Sequence, residues 1–192
     1  MREPVDRYWE ERQMLDLAWR LLGHGARTHT IARWTGLPPR RIRTLMRRFA
    51  PRQQEGRLRR PRGKSPYKTE LLLRSRIKHY AAAMFVRTCL QLRLIEVSRA
   101  GARAASPPDV SWGERFCGAF ETFASRYPQA RLNIEEAMLL LAALTTRREY
   151  VLESCERCSG PVLRDRFALG AAQCMTCQQP AEISAGLERG VL

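Results

Sequence analysis

Cys155, Cys158, Cys174 and Cys177 are spaced C-x2-C-x15-C-x2-C in "CERCSGPVLRDRFALGAAQCMTC", and no other feature of the chain restricts its folding as tightly. Each Cys-x-x-Cys turn presents two sulfurs on one side of a knuckle. The intervening excursion lets the second knuckle face the first and close a tetrahedron of thiolates around a metal ion. With sulfur at every corner there is no open position for water, so the expected cofactor is one structural Zn2+ per chain. A redox pair is the competing use of Cys-x-x-Cys, but neither pair follows a strand at the head of a helix as a thioredoxin-like motif would. A structural zinc contributes on the order of 10 kcal/mol to folding, enough to order a tail with little core of its own.

Four closely paired cysteines read as metal ligands where thiols stay reduced, and the rest of the chain agrees with such a compartment. The opening stretch "MREPVDRYWEERQMLDLAW" scatters charge throughout and lacks the apolar core and small-residue cleavage site of a secretory signal. The longest apolar run, "AMLLLAAL" at Ala137–Leu144, is far short of the roughly 20 residues of a membrane span. A cytoplasmic protein without membrane partners is expected. Its 192 residues, 44% of them hydrophobic, can bury a core without disulfides.

The formal net charge of +15 is unevenly placed. Between Arg20 and Lys64 stand fourteen Arg or Lys residues and a single acid, Glu55. Arginine-biased codons would account for the choice of Arg over Lys, of which the chain has only three; they would not account for the loss of acids from this segment. Such a field attracts polyanions, with nucleic acid the commonest, ahead of membrane surfaces and acidic proteins.

Within this patch "TIARWTGLPPRRIRTLMRRF", Thr30–Phe49, has the spacing of a helix-turn-helix. Ala32 is small enough for two helices to approach, Gly36 can make the turn, and Ile31, Leu37, Ile42 and Leu45 are apolar where a core would lie. Pro38 and Pro39 suit the turn and the first helical position, where a missing N–H is tolerated. A second helix from about Pro39 to Phe49 then carries Arg40, Arg43, Thr44 and Arg47 on the face opposite Ile42 and Leu45, with Arg48 beside them. Long bidentate donors in this arrangement suit guanine edges and phosphates in a major groove. An Arg-rich solvated helix is the bland alternative.

Helical periodicity holds nearly throughout, with no convincing strand before the cysteines. A first helix through Met14, Leu15, Ala18, Trp19 and Leu22 ends near "GHG". "APRQQEGRLRRPRGKSP" reads as a linker or basic arm. A long helix is expected from about Lys68 to Val97, a break at "SRAGARAASPPD", another helix in "VSWGERFCGAFETFASRY", and a last one from an Asn133 N-cap to about Leu152, with Glu136 in a capping-box position. The fold class is mainly α, with an N-terminal helix-turn-helix-like segment and a C-terminal four-cysteine knuckle or ribbon. Three regions follow: a basic DNA-binding region over 1–65, a helical core and partner-binding region over 66–152, and the metal-binding region with a short tail over 153–192. Cys89 and Cys117 are expected as buried small hydrophobes. No nucleophile sits beside a base, no carboxylates pair in a loop and no glycine-rich phosphate loop occurs, so no enzyme is expected.

The arrangement resembles the C subunit of the bacterial flagellar master transcriptional activator, the FlhC family. The resemblance rests on "LLGHGAR", "PRGKSPYKTE", "HYAAAMF", and the closing "CERCSG" with "CMTCQQP". It implies a mainly helical, zinc-binding activator subunit acting in a hetero-oligomer with FlhD, four D and two C subunits by family resemblance. Such a complex binds promoter DNA upstream of flagellar (class II) operons and recruits RNA polymerase. The zinc ligands carry over to Cys155, Cys158, Cys174 and Cys177. Other readings stay open: a zinc-stabilised protein-interaction adaptor, a paralogous regulator of non-flagellar genes, or an RNA-binding module. Arg164, Asp165 and Arg166 give the loop between the cysteine pairs little net charge, which points to a staple, with the DNA-reading surface far earlier in the chain.

Overall fold

Helix α1, Pro4–Gly23 in the computed structural model, ends because Gly25 turns the backbone into the left-handed region at φ 77°. The amide of Gly25 reaches the Leu22 carbonyl at 3.0 Å and that of Ala26 the Leu21 carbonyl at 2.9 Å, the two bonds of a Schellman stop. The structure describes residues 4–49, 66, 70–98, 101–104, 109–146 and 150–178. The basic arm after Phe49, most of "PRGKSPYKTE" and the tail after Gln178 lie outside them.

The described chain is mostly helical, with α2 at Thr28–Thr35, α3 at Pro39–Phe49, α4 at Glu70–Leu73, α5 at Arg76–Gln91, α6 at Val110–Arg126, α7 at Ile134–Thr146 and α8 at Met175–Gln178. Two antiparallel hairpins accompany them, β1 (Ile95–Ser98) with β2 (Gly101–Ala104) and β3 (Tyr150–Ser154) with β4 (Pro161–Asp165). No described helix is long and apolar enough to cross a membrane.

The chain divides into two compact units that interleave along the sequence: Met1–Pro66 with Ser106–Gly118 and Asn133–Glu135, and Tyr67–Ala105 with Ala119–Leu132 and Glu136–Leu192. In the first unit, Leu17, Leu21, Ile31 and Ile42 are fully buried. Beside them, Trp34 packs edge-on against Trp112 and Phe116, each with ring centroids 4.9 Å away. Asp109 begins α6 by accepting the Trp112 amide at 2.7 Å. At Gly113 an added Cβ would stand 2.5 Å from a Leu17 methyl, so any side chain here would force the buried Leu17 to shift where α6 approaches α1.

The second unit is built on Phe85, Phe123, Leu140, Leu144, Tyr150 and Leu163, all essentially inaccessible. Phe85 and Phe123 stack edge-on at 5.5 Å. Ser75 caps α5 by accepting the Lys78 amide at 3.2 Å, and the Lys78 ammonium donates to both Glu136 carboxylate oxygens at 2.6 and 2.7 Å. Cys89 and Cys117 are buried as expected, and burial raises the Cys89 thiol far above its ordinary value.

Three expectations are corrected here. The long helix over 68–97 is broken at Arg74 and Ser75 and stops at Gln91, and the stop lies in the backbone. Arg93 takes φ 53°, with Arg93 N–H to Leu90 O at 3.1 Å and Leu94 N–H to Cys89 O at 2.8 Å. This is a Schellman stop without its usual glycine, held by burial of Leu94. Strands also precede the cysteines: Ile95–Ser98 pairs with Gly101–Ala104 across part of the expected break. The last helix ends at Thr146, and Leu152 lies in β3, paired with Leu163. Helix α7 does start directly after Asn133.

Candidate metal centre and basic helix face

Hairpin β3–β4 carries the first knuckle. The register sets Ser154 against Pro161, so the six residues Cys155–Gly160 form its loop, closed by the Cys155 amide donating to Gly160 O at 2.8 Å. Ser159 takes φ 56° to complete the turn, and its amide bonds Cys155 O at 2.8 Å. The second knuckle is the first turn of α8, where the Cys177 amide reaches Cys174 O at 3.0 Å. Cross-links unite the two: Glu156 N–H to Ala172 O at 2.9 Å, and the Arg157 guanidinium to Cys177 O at 3.2 Å.

The four Sγ atoms lie within 4.8 Å of one another, a set that can hold a metal ion. A tetrahedron with metal–sulfur bonds of about 2.3 Å has edges of about 3.8 Å; Cys158 and Cys174 sulfurs are 3.7 Å apart. Cys155 is buried, Cys158 exposed, and the other two half-buried. The Cys174 amide donates to Cys155 Sγ at 3.3 Å. That bond, with others from the Arg157 and Cys158 amides, holds the Cys155 thiol down at about 6 against its burial. Cys177 is pushed up to about 12, because the Cys174 and Cys158 thiols bond to its neutral form and burial adds to the effect. Sulfurs this close ionise together only when a cation offsets their charge. The donor set is all sulfur, which suits soft or borderline metals.

Arg164 is the residue that spacing alone does not reveal. Its side chain is only 14% exposed and reaches Glu153 Oε2 at 3.1 Å, Gly170 O at 3.0 Å and the Ala168 carbonyl. The guanidinium therefore fastens the loop between the cysteine pairs. Asp165 shapes the same loop, accepting the Phe167 amide at 2.7 Å. Phe167 and Leu169 stand at its tip, 77% and 98% exposed.

In the other unit, Gly36 ends α2 at φ 70° with its amide on Ala32 O at 2.9 Å. Pro38 accepts the Arg41 amide at 2.9 Å, and α3 begins at Pro39. Ile42 is fully buried; Arg40, Arg43, Arg47 and Arg48 are exposed. Thr44 is half-buried, and its hydroxyl donates to the Arg40 carbonyl at 3.1 Å.

Acids missing from the basic segment reach it from elsewhere in the chain. Glu114 pairs with Arg20 and Glu11 with Arg41. Glu135 accepts the Arg27 amide at 2.8 Å and the Thr30 hydroxyl at 3.1 Å, serving α2, whose own N-cap residue Arg27 offers no side-chain cap. A helix start without Ser, Thr, Asp or Asn before it was the available sign that a distant acceptor is needed. The side chains of Arg33, Arg40, Arg43, Arg47 and Arg48 form no ion pair or hydrogen bond with another described residue. No family model and no curated protein matches the chain.

Proposed function

We propose that the chain is a DNA-binding transcription activator subunit in which α2, the Gly36 turn and α3 act as a helix-turn-helix and α3 enters the major groove. The observation that carries this reading is the free guanidinium set of α3. Arg41 is tied to Glu11, whereas Arg40, Arg43, Arg47 and Arg48 are exposed and have no partner among the described residues. Arg–phosphate and Arg–guanine contacts use such donors. Zn2+ at Cys155, Cys158, Cys174 and Cys177 serves as a structural staple for the second knuckle and the Arg164 loop. By resemblance to the FlhC family, the working form is a cytoplasmic hetero-oligomer with FlhD that recruits RNA polymerase at flagellar promoters.

The test is binding of the purified complex to promoter duplex DNA across a salt series. Replacing Arg43 and Arg47 by Ala should lower affinity by about 1–3 kcal/mol per base contact, or reduce the salt slope by about 1 per phosphate contact. Unchanged affinity and slope would reject α3 as the reading helix. The exposed pair Phe167 and Leu169 favours a second reading, a protein-interaction adaptor. Binding to random duplex DNA no tighter than to an acidic protein would favour the adaptor, and preference for structured RNA over duplex would redirect the basic face to RNA.

A further inference from the structure

The four sulfurs are unequally exposed, and a cleft runs up to three of them. It encloses about 330 Å3 between α5 and the cysteine ribbon. His79, Ala83, Met84 and Arg87 line one side, Val162 and Met175 the other, and Cys158, Cys174 and Cys177 border it. Cys155 does not border the cleft; it is buried, and its sulfur already accepts the Cys174 amide. Cys158 is the exposed member of the set, and its sulfur stands 3.7 Å from that of Cys174 across the two knuckles. A small uncharged oxidant can thus approach Cys158 from solvent or along the cleft, with the Cys174 sulfur close enough to resolve the product.

We propose that Cys158 and Cys174 form a hydroperoxide-reactive pair that closes into a disulfide linking the two knuckles. The Cys158 sulfur attacks one peroxide oxygen, the O–O bond breaks, and the departing hydroxide takes a proton to become water. The Cys174 sulfur then displaces the second oxygen from Cys158, forming the S–S bond and a second water. Two electrons pass from the sulfurs to the peroxide, which is the oxidant. Where the site holds zinc, as the function proposed above has it, loss of two thiolate ligands releases the metal. The released staple is replaced by a covalent one, so the knuckles stay together.

The experiment uses the full-length reduced protein with its metal content measured first, then excess hydrogen peroxide. Zinc release is followed with a chromogenic chelator, and blocked tryptic peptides are mapped by mass spectrometry. Trypsin cuts after Arg157 and so parts Cys155 from Cys158. The expected result is a peptide carrying Cys158 joined through Cys174, about one zinc released per chain, and both reversed by a dithiol. A disulfide within either knuckle, sulfinic acids in place of a disulfide, or intact thiols at excess peroxide would overturn the pairing. A chain that neither carries nor takes up zinc would sink the metal reading alone, because the Cys158–Cys174 link is read in the same peptides without metal. Ala83→Leu, which narrows the cleft without touching a sulfur, separates the approaches. Several-fold slower oxidation supports entry along the cleft, and an unchanged rate overturns that route.

Discussion

The cysteine ribbon and the basic helix pair hold their shape by opposite means. Around the cysteines, partners lie close in sequence: β3 and β4 are joined by a six-residue loop, and Arg164 bonds groups within eleven residues of itself. In the helix pair the decisive partners are remote. Glu135 serves the Arg27 amide and the Thr30 hydroxyl at the start of α2 across 108 and 105 positions, and on the preceding α1 Glu114 serves Arg20 across 94. The two cysteine knuckles are a local device that a metal can complete, on strands that join their unit's core through Tyr150 and Leu163, whereas the helix pair depends on a core and on a borrowed carboxylate. Charge is disposed just as differently in the two regions. Arg164 is turned inward, while the guanidiniums of α3 outside Arg41 face solvent.

The sharpest break in this contrast is Cys155→Ser, or stripping the metal with a chelator. On the order of 10 kcal/mol of metal binding is lost, so proteolysis and circular dichroism should show the 150–178 segment unfolded and the yield of the complex reduced. Loss of DNA affinity with structure and assembly intact would instead place the ribbon on the DNA. Next is Glu135→Ala, which strands the Arg27 amide and the Thr30 hydroxyl at an expected cost of about 1–3 kcal/mol. Thermal melting should fall measurably, with Glu135→Gln recovering part of the loss; no change would mean that α2 does not need the borrowed cap. Gly113→Ala should cost a similar about 1–3 kcal/mol, since its new methyl meets the fully buried Leu17. Arg164→Ala should cost only about 1 kcal/mol but should speed cleavage between Arg166 and Gly170 by a protease. The smallest effect on stability belongs to Arg43→Ala with Arg47→Ala, within about 0.5 kcal/mol; a larger drop would mean that these side chains serve the fold.

The same contrast explains what could be read from sequence. The metal site is legible because each Cys-x-x-Cys turn pairs two sulfurs locally, and the hairpin and its cross-links then bring all four to within 4.8 Å. The limits of α2 and α3 are legible because Gly36 and Pro39 punctuate them with backbone chemistry. Helix α5 hid its end because Arg93 occupies a left-handed position that glycine would have advertised. The strands Ile95–Ser98 and Gly101–Ala104 are too short for alternation to stand out from an apolar helix stretch. The uncapped start of α2 signals that an outside acceptor is needed, but no local pattern names Glu135 or Glu114 as partners about a hundred positions away.

The Glu135 contact also sets an order of events in time. At roughly 5–20 residues per second, the carboxylate that caps α2 leaves the ribosome many seconds after α2 and α3 do. Through that interval the most basic part of the chain exists without its distant acids. A nascent chain of this kind holds a polycation beside ribosomal RNA with only Glu11 of the acids that pair with it already made, and the arrival of Glu135 completes the cap of α2.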